Sequence, residues 1–437
     1  MSYSPRMSMK TGRYALAALL LFGAEAAAQS RPEYIPFSPV SVKGALFRPD
    51  SGPAPRIGVL VMHRTINSLP HLANTELARR GFLVLGMNPR FDNNDFEMVW
   101  EDILLDMKQG VDFLRRQPGI SRVVLLGYSG GGPTMGFYQA VAEKGAAYCQ
   151  GPKKLSTCTA EQAAGLVKAD GLVFIDPSPG AVGALRALNP AVTDEAQPHT
   201  LDPTLDPFHP QNGFVPDQPL TYSDAFKTRF YAAQSARMNR LIDDAQTMLG
   251  MMREGRSAFP DDDVMVVPRA GGASLSGPDR SIEAGPLKPV RLLRNNGSVA
   301  TEKVTTVLPP VKMHPETNAT FAAARVSTVK TFLSTAAIRS TDARDGVDWC
   351  SSNTSTPCAL EQVSVPVLFT ATGAGTLMRD TEVMFDHAAS TDKEFIVVEG
   401  LLHGLIPCSF CGRPAEQFAN GPKNLFDYIA AWMNKRF

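Results

Sequence analysis

Arg122-Val123-Val124-Leu125-Leu126-Gly127-Tyr128-Ser129-Gly130-Gly131-Gly132 is the stretch that decides how this chain is read. A short continuous apolar run that stops at glycine has the pattern of a strand buried on both faces. The glycines that follow predict a sharp turn into a helix, with Ser129 at its apex. The Gly-x-Ser-x-Gly spacing has a steric cause. A serine forced into a strained strand-to-helix turn needs neighbours two residues away that carry no side chain. Such a turn lifts the hydroxyl clear of the sheet and aims the Gly130 N–H where an oxyanion would form.

Upstream, Ile57-Gly58-Val59-Leu60-Val61-Met62 is a second apolar strand, ending at His63-Arg64-Thr65. A helix over 72–80, a strand over 81–86 and a helix over 96–117 lead to the serine strand. Downstream, strands are expected at 171–175, 365–370 and 394–399, with a final helix over 424–434. Strands alternating with helices predict an α/β protein, a mostly parallel sheet flanked by helices on both faces.

Over residues 40–180 and 360–437 this order of motifs resembles the α/β-hydrolase superfamily. The resemblance implies a nucleophile at Ser129 and an oxyanion hole built from the N–H of Gly130 and that of a residue after His63. Many members have glycine where Arg64 stands, so Thr65 and Arg64 are both candidates for the second donor. A serine hydroxyl also needs a base, and the base an orienting carboxylate. Of seven histidines, His403 lies in the loop after the last strand, where the family keeps its catalytic imidazole. His63 is read as structural, and His71, His199, His209, His314 and His387 sit in no supporting pattern.

The acid is less directly marked. Family order is Ser, then Asp or Glu, then His, and the usual place is the loop after the 365–370 strand. That loop reads Ala371-Thr372-Gly373-Ala374-Gly375-Thr376, with no carboxylate. Asp176, at the end of the preceding strand in an Asp-Pro context, is preferred, and Asp380 and Glu382 stay open as alternatives. Aspartate before proline is also a common turn opener with no catalytic meaning.

Residues 1–28 read as a signal peptide: basic start, short apolar centre, and Ala26-Ala27-Ala28 for cleavage. A secreted or periplasmic location is therefore expected. The apolar run is too short for a membrane span and no later segment is long enough. With 43 basic and 43 acidic residues the chain lacks the charge footprint of a nucleic-acid binder. Six cysteines in an exported chain suggest disulfides rather than metal. Local pairing (Cys149 with Cys158, Cys350 with Cys358, Cys408 with Cys411) is preferred among the possible connectivities.

Domain bounds are expected at 35–180 and 361–437 for the core, with a cap or lid inserted at 181–360. Within the insertion, helices are expected at 222–252 and 318–337, and short strands at 263–268, 289–293 and 303–308. Met238, Met248, Met251 and Met252 would line a pocket or, more commonly, form ordinary core. The expected function is an exported serine hydrolase of a small carboxylic ester, hydrophobic, aryl or lactone, needing no cofactor or metal. The alternatives are an amidase or peptidase of the same fold, or a non-catalytic binding homologue.

Overall fold

The computed structural model describes residues 31–39, 41–282, 285–309 and 323–437. The expected signal peptide, His314 and the start of the helix expected at 318–337 lie outside them. Twelve strands are described: β1 (Glu33–Pro36), β2 (Lys43–Phe47), β3 (Ile57–Met62), β4 (Leu83–Asn88), β5 (Arg122–Tyr128), β6 (Gly171–Ile175), β7 (Val264–Val267), β8 (Val290–Leu293), β9 (Val299–Glu302), β10 (Arg325–Thr328), β11 (Val367–Thr372) and β12 (Lys393–Val398). Ten of them form one sheet in the order β1-β2-β4-β3-β5-β6-β11-β12-β8-β9. From β4 to β8 every neighbour is parallel, and the pairs at the two edges are antiparallel.

Period-two alternation divides the apolar runs between two cores. Leu60 and Met62 of β3, with Val123 and Leu125 of β5, face one side. Val59 and Val61, with Val124 and Leu126, face the other. Helices Ile103–Arg115, Gly131–Lys144 and Met378–His387 cover the first face. Helices Leu72–Ala78 and Gly421–Arg436 cover the second. The C-terminal helix places Leu425, Phe426, Ile429 and Met433 on one stripe, all fully buried. Each such side chain stabilises by roughly 1.5–3 kcal/mol, and Phe426→Ala would cost about 3–5 kcal/mol.

The segment expected to be cap, 181–360, divides between two bodies. Strands β8 and β9 extend the main sheet, β8 pairing parallel with β12 (Val397↔Leu292). The hairpin turn sets their register: Gly297 at φ 84° closes an Asn-Gly turn that pairs Leu293 with Val299. Pairing therefore falls on 299–302, and 303–308 forms no strand. Residues 356–360 pack on the Gly131–Lys144 helix, with Ala359 in the main core.

The rest has its own core, made by helices Val182–Ala187 and Asp224–Arg253, the β7–β10 ribbon and residues 329–343. The helix expected at 318–337 is shorter than its spacing suggests. Arg325-Val326-Ser327-Thr328 pairs with β7 instead, and Thr328 caps the helix that follows by accepting from the Thr331 N–H (3.2 Å). Alternation and β-branching outweigh helical spacing there. Met238 and Met252 lie in this second core, so the methionine stripe is packing. No described helix is long and apolar enough to cross a membrane.

Candidate active site

Ser129 occupies the corner between β5 and the Gly131–Lys144 helix, with φ at 52°. A side chain in that left-handed region costs about 1–3 kcal/mol and persists only where its surroundings impose it. The imposing contacts are visible. A Cβ on Gly127 would sit 2.4 Å from the Gly131 carbonyl oxygen, and one on Gly131 would sit 2.5 Å from that of Met62. The corner is also tied to the neighbouring strand end. The Ser129 N–H donates to Ile175 O (3.1 Å), and the Ser178 N–H donates to Ser129 O (2.8 Å).

His403 Nε2 lies 3.0 Å from Ser129 Oγ, and His403 Nδ1 lies 2.5 Å from Asp176 Oδ2. The three residues thus come together from the ends of three strands. Asp176 is fully buried and, like Ser129, has a positive φ, 45°. Thr372 completes its surroundings, donating from its N–H to Oδ1 (3.0 Å) and from its hydroxyl to Oδ2 (2.8 Å). The end of β11, where the family's acid would stand, supplies donors to a carboxylate on β6. With Nδ1 against a buried carboxylate, His403 can hold a proton on that nitrogen and accept one from Ser129 at the other.

Asp380 and Glu382 lie elsewhere, in structural ion pairs. Asp380 accepts from Arg186 (2.8 Å). Glu382 takes the main-chain N–H groups of Leu287 (2.7 Å) and Lys288 (2.9 Å) and pairs with Arg379 (2.6 Å). Neither has a bond to His403 among the described residues.

On the oxyanion side, the Thr65 N–H is already engaged. It donates to His63 Nδ1 (3.1 Å), as does the Ile66 N–H (3.0 Å). The main-chain N–H groups of Arg64 and Gly130 have no partner among the described residues. Of the two candidates, Arg64 therefore has the free donor. Two N–H groups on Nδ1 require it to be unprotonated, so neutral His63 carries its proton on Nε2. Burial, helped by the charge of Arg64 and by His71 and His403, pushes this imidazole down to about 3. A Cβ on Gly130 would lie 2.5 Å from Nε2, which puts that N–H beside the serine corner.

Tyr128, the residue before the serine, has a role that its sequence context does not mark. Its hydroxyl donates to His403 O (2.7 Å) and its ring stacks on the imidazole at 5.0 Å. The role of Thr372 is likewise not marked in the sequence, because its partner is set by strand pairing. Cys149–Cys158, Cys350–Cys358 and Cys408–Cys411 are bonded. The third closes the loop after His403, where Leu401 bridges Pro407.

A cavity of about 360 Å³ opens on Ser129 and Gly130. Its lining is mixed: Trp100 and Pro133 stand beside Arg64, Asp95, Arg325 and Thr335. None of the cap methionines contributes to it.

No protein-family model and no curated protein matches the sequence. Among solved structures the chain is similar to Est1E from Butyrivibrio proteoclasticus, at 9% identity over 93% of this chain and 99% of that one, TM-score 0.41. It is similar to DcsB, solved in complex with its substrate analogue, at 12% identity over 93% and 100%, TM-score 0.44. It is also similar to brefeldin A esterase, a bacterial homologue of human hormone sensitive lipase, at 14% identity over 97% and 80%, TM-score 0.40. The strand order, the parallel run from β4 to β8 and the helices on both faces give this chain the α/β-hydrolase fold.

Proposed function

We propose that the protein is an exported serine hydrolase that cleaves a carboxylic ester through an acyl-enzyme on Ser129. The observation that carries this reading is the continuous chain Ser129 Oγ, His403, Asp176, with links of 3.0 and 2.5 Å. His403 takes the hydroxyl proton as Ser129 Oγ attacks the ester carbonyl. The N–H groups of Gly130 and Arg64 stabilise the tetrahedral oxyanion at the N-terminus of a 14-residue helix, whose dipole adds to them. Asp176 holds the imidazolium, which returns its proton to the leaving alcohol. Water, deprotonated by His403, then releases the acid and restores Ser129. Export is supported by the leader-like segment at 1–28 and by three disulfides.

A fluorophosphonate probe should label wild type and leave Ser129→Ala unlabelled. Hydrolysis of 4-nitrophenyl butyrate should fall by roughly 10⁴-fold or more in that variant. Full turnover without the hydroxyl would remove the assignment.

A further inference from the structure

The cavity over Ser129 continues past Arg64, Asp95, Arg325 and Thr335 into a second one of about 340 Å³ that shares those four residues. Two guanidinium groups therefore stand at the junction, Arg64 from the loop after β3 and Arg325 from the cap strand β10. The Arg325 guanidinium has no hydrogen bond or ion pair among the described residues. Among the described residues Arg64 has a single ion pair, to Asp95 at 3.8 Å, and that carboxylate is 67% exposed. A contact that long with so exposed a partner contributes little. Among the described residues Asp95 is the one carboxylate lining either cavity and His63 beside them is neutral, so their charges at the junction sum to a net positive.

Trp100 belongs to the first lining and Ser327 to the second, and the buried indole N–H and hydroxyl of these residues have no partner among the described residues. An anion entering the junction meets two guanidinium groups set against one exposed carboxylate. A planar guanidinium can bind both oxygens of a carboxylate at once. From these residues we infer that the preferred substrate is an ester carrying a second, free carboxylate, held by Arg325 and Arg64 while the ester carbonyl lies at Ser129. This deepens the serine hydrolase reading and rests on it. The carboxylate can belong to the acyl half or to the alcohol half, and the chemistry of recognition is the same.

Matched substrates separate the two. On the acyl side, mono-4-nitrophenyl glutarate is compared with 4-nitrophenyl pentanoate. On the alcohol side, 3-acetoxybenzoate is compared with phenyl acetate. In one arm at least, kcat/KM should favour the carboxylate ester by about 10- to 100-fold at low salt, with the preference shrinking as ionic strength rises. Arg325→Gln should bring the ratio to within about threefold of unity, and Arg325→Lys should keep part of it. Thermal unfolding of each variant establishes that it is folded. A wild-type ratio near one in both arms overturns the inference, as does a ratio that survives in folded Arg325→Gln. If no ester is turned over at all, the hydrolase reading fails first. Calorimetry with glutarate and benzoate on Ser129→Ala then reads the cradle alone. Binding that Arg325→Gln abolishes supports the carboxylate site, and no binding of either sinks it.

Discussion

The ends of β6 and β11 lie side by side in the sheet and differ in what they offer His403. The first bends into the left-handed region and presents a buried carboxylate, Asp176. The second stays regular and presents two donors, both from Thr372. A parallel pairing that sets Thr370 against Ile175 makes the two ends neighbours in space. The imidazole has its acceptor on β6, and β11 supplies the donors that hold that acceptor. Position in the chain is therefore a weaker guide to the acid than position in the sheet.

The largest test of that contrast exchanges the acceptor for an isostere. Asp176→Asn should lower kcat by about 10⁴-fold with little change in fold. Asp380→Asn should keep kcat within about threefold. It should cost roughly 3 kcal/mol of stability, because it removes the buried negative charge that Arg186 is paired with. Equal kcat losses in the two would erase the distinction between the strand ends. Thr372→Val should lower kcat by about tenfold with KM little moved, since the lost hydroxyl bond orients the acid rather than the substrate. Thr372→Ser should recover most of it, and an unaffected Val variant would make Thr372 mere packing.

Legibility in the sequence followed the range of the physics. The serine corner is local, fixed by glycines two residues either side of Ser129, and the apolar runs declare strands buried on both faces. His403 is nearly as local, since it closes the last strand–helix loop. The acid was not, because adjacency of β6 and β11 comes from pairing across nearly two hundred residues. The same holds for β10, which pairs with β7 although its apolar spacing also suits a helix. Leu292 and Leu293 read as a strand, but no feature of that strand says which sheet receives it. The free donor at Arg64 depends on His63 taking the Thr65 N–H, a contact between two loop residues that spacing does not express.

A third strand end, that of β3, sharpens the comparison through pH. His63 stays neutral in the folded protein, held down to about 3 against an ordinary value near 6.5. Below about 6.5 the unfolded chain binds a proton there and the folded one does not. The stability this group contributes is thus complete above that pH and is lost as pH falls toward about 3. In His63→Gln the slope of unfolding free energy against pH, measured between 6 and 4, should lessen by up to about 1.4 kcal/mol per unit. An unchanged slope would mean that the ring is not a buried neutral acceptor.

The smallest effect is expected beyond β12. Removing the Cys408–Cys411 bond as the double serine variant should lower stability by about 2 kcal/mol, a few degrees in Tm. Because Tyr128 independently holds the His403 carbonyl and ring, kcat should fall by less than about threefold. A larger loss would show that this loop depends on its disulfide more than on its aromatic neighbour.

The β8–β9 hairpin lies within the segment 181–360 and yet belongs to the main sheet. Residues up to Ile282 and from Val329 share the second core, while β8 and β9 between them extend the sheet edge. Cutting out 181–360 as one piece would strip that edge and remove the Cys350–Cys358 bond with the turn of helix beneath Gly131–Lys144. Exchanging the second core between proteins of this fold would require two transplants, 181–282 and 323–348, with the hairpin left in place as a shared rafter.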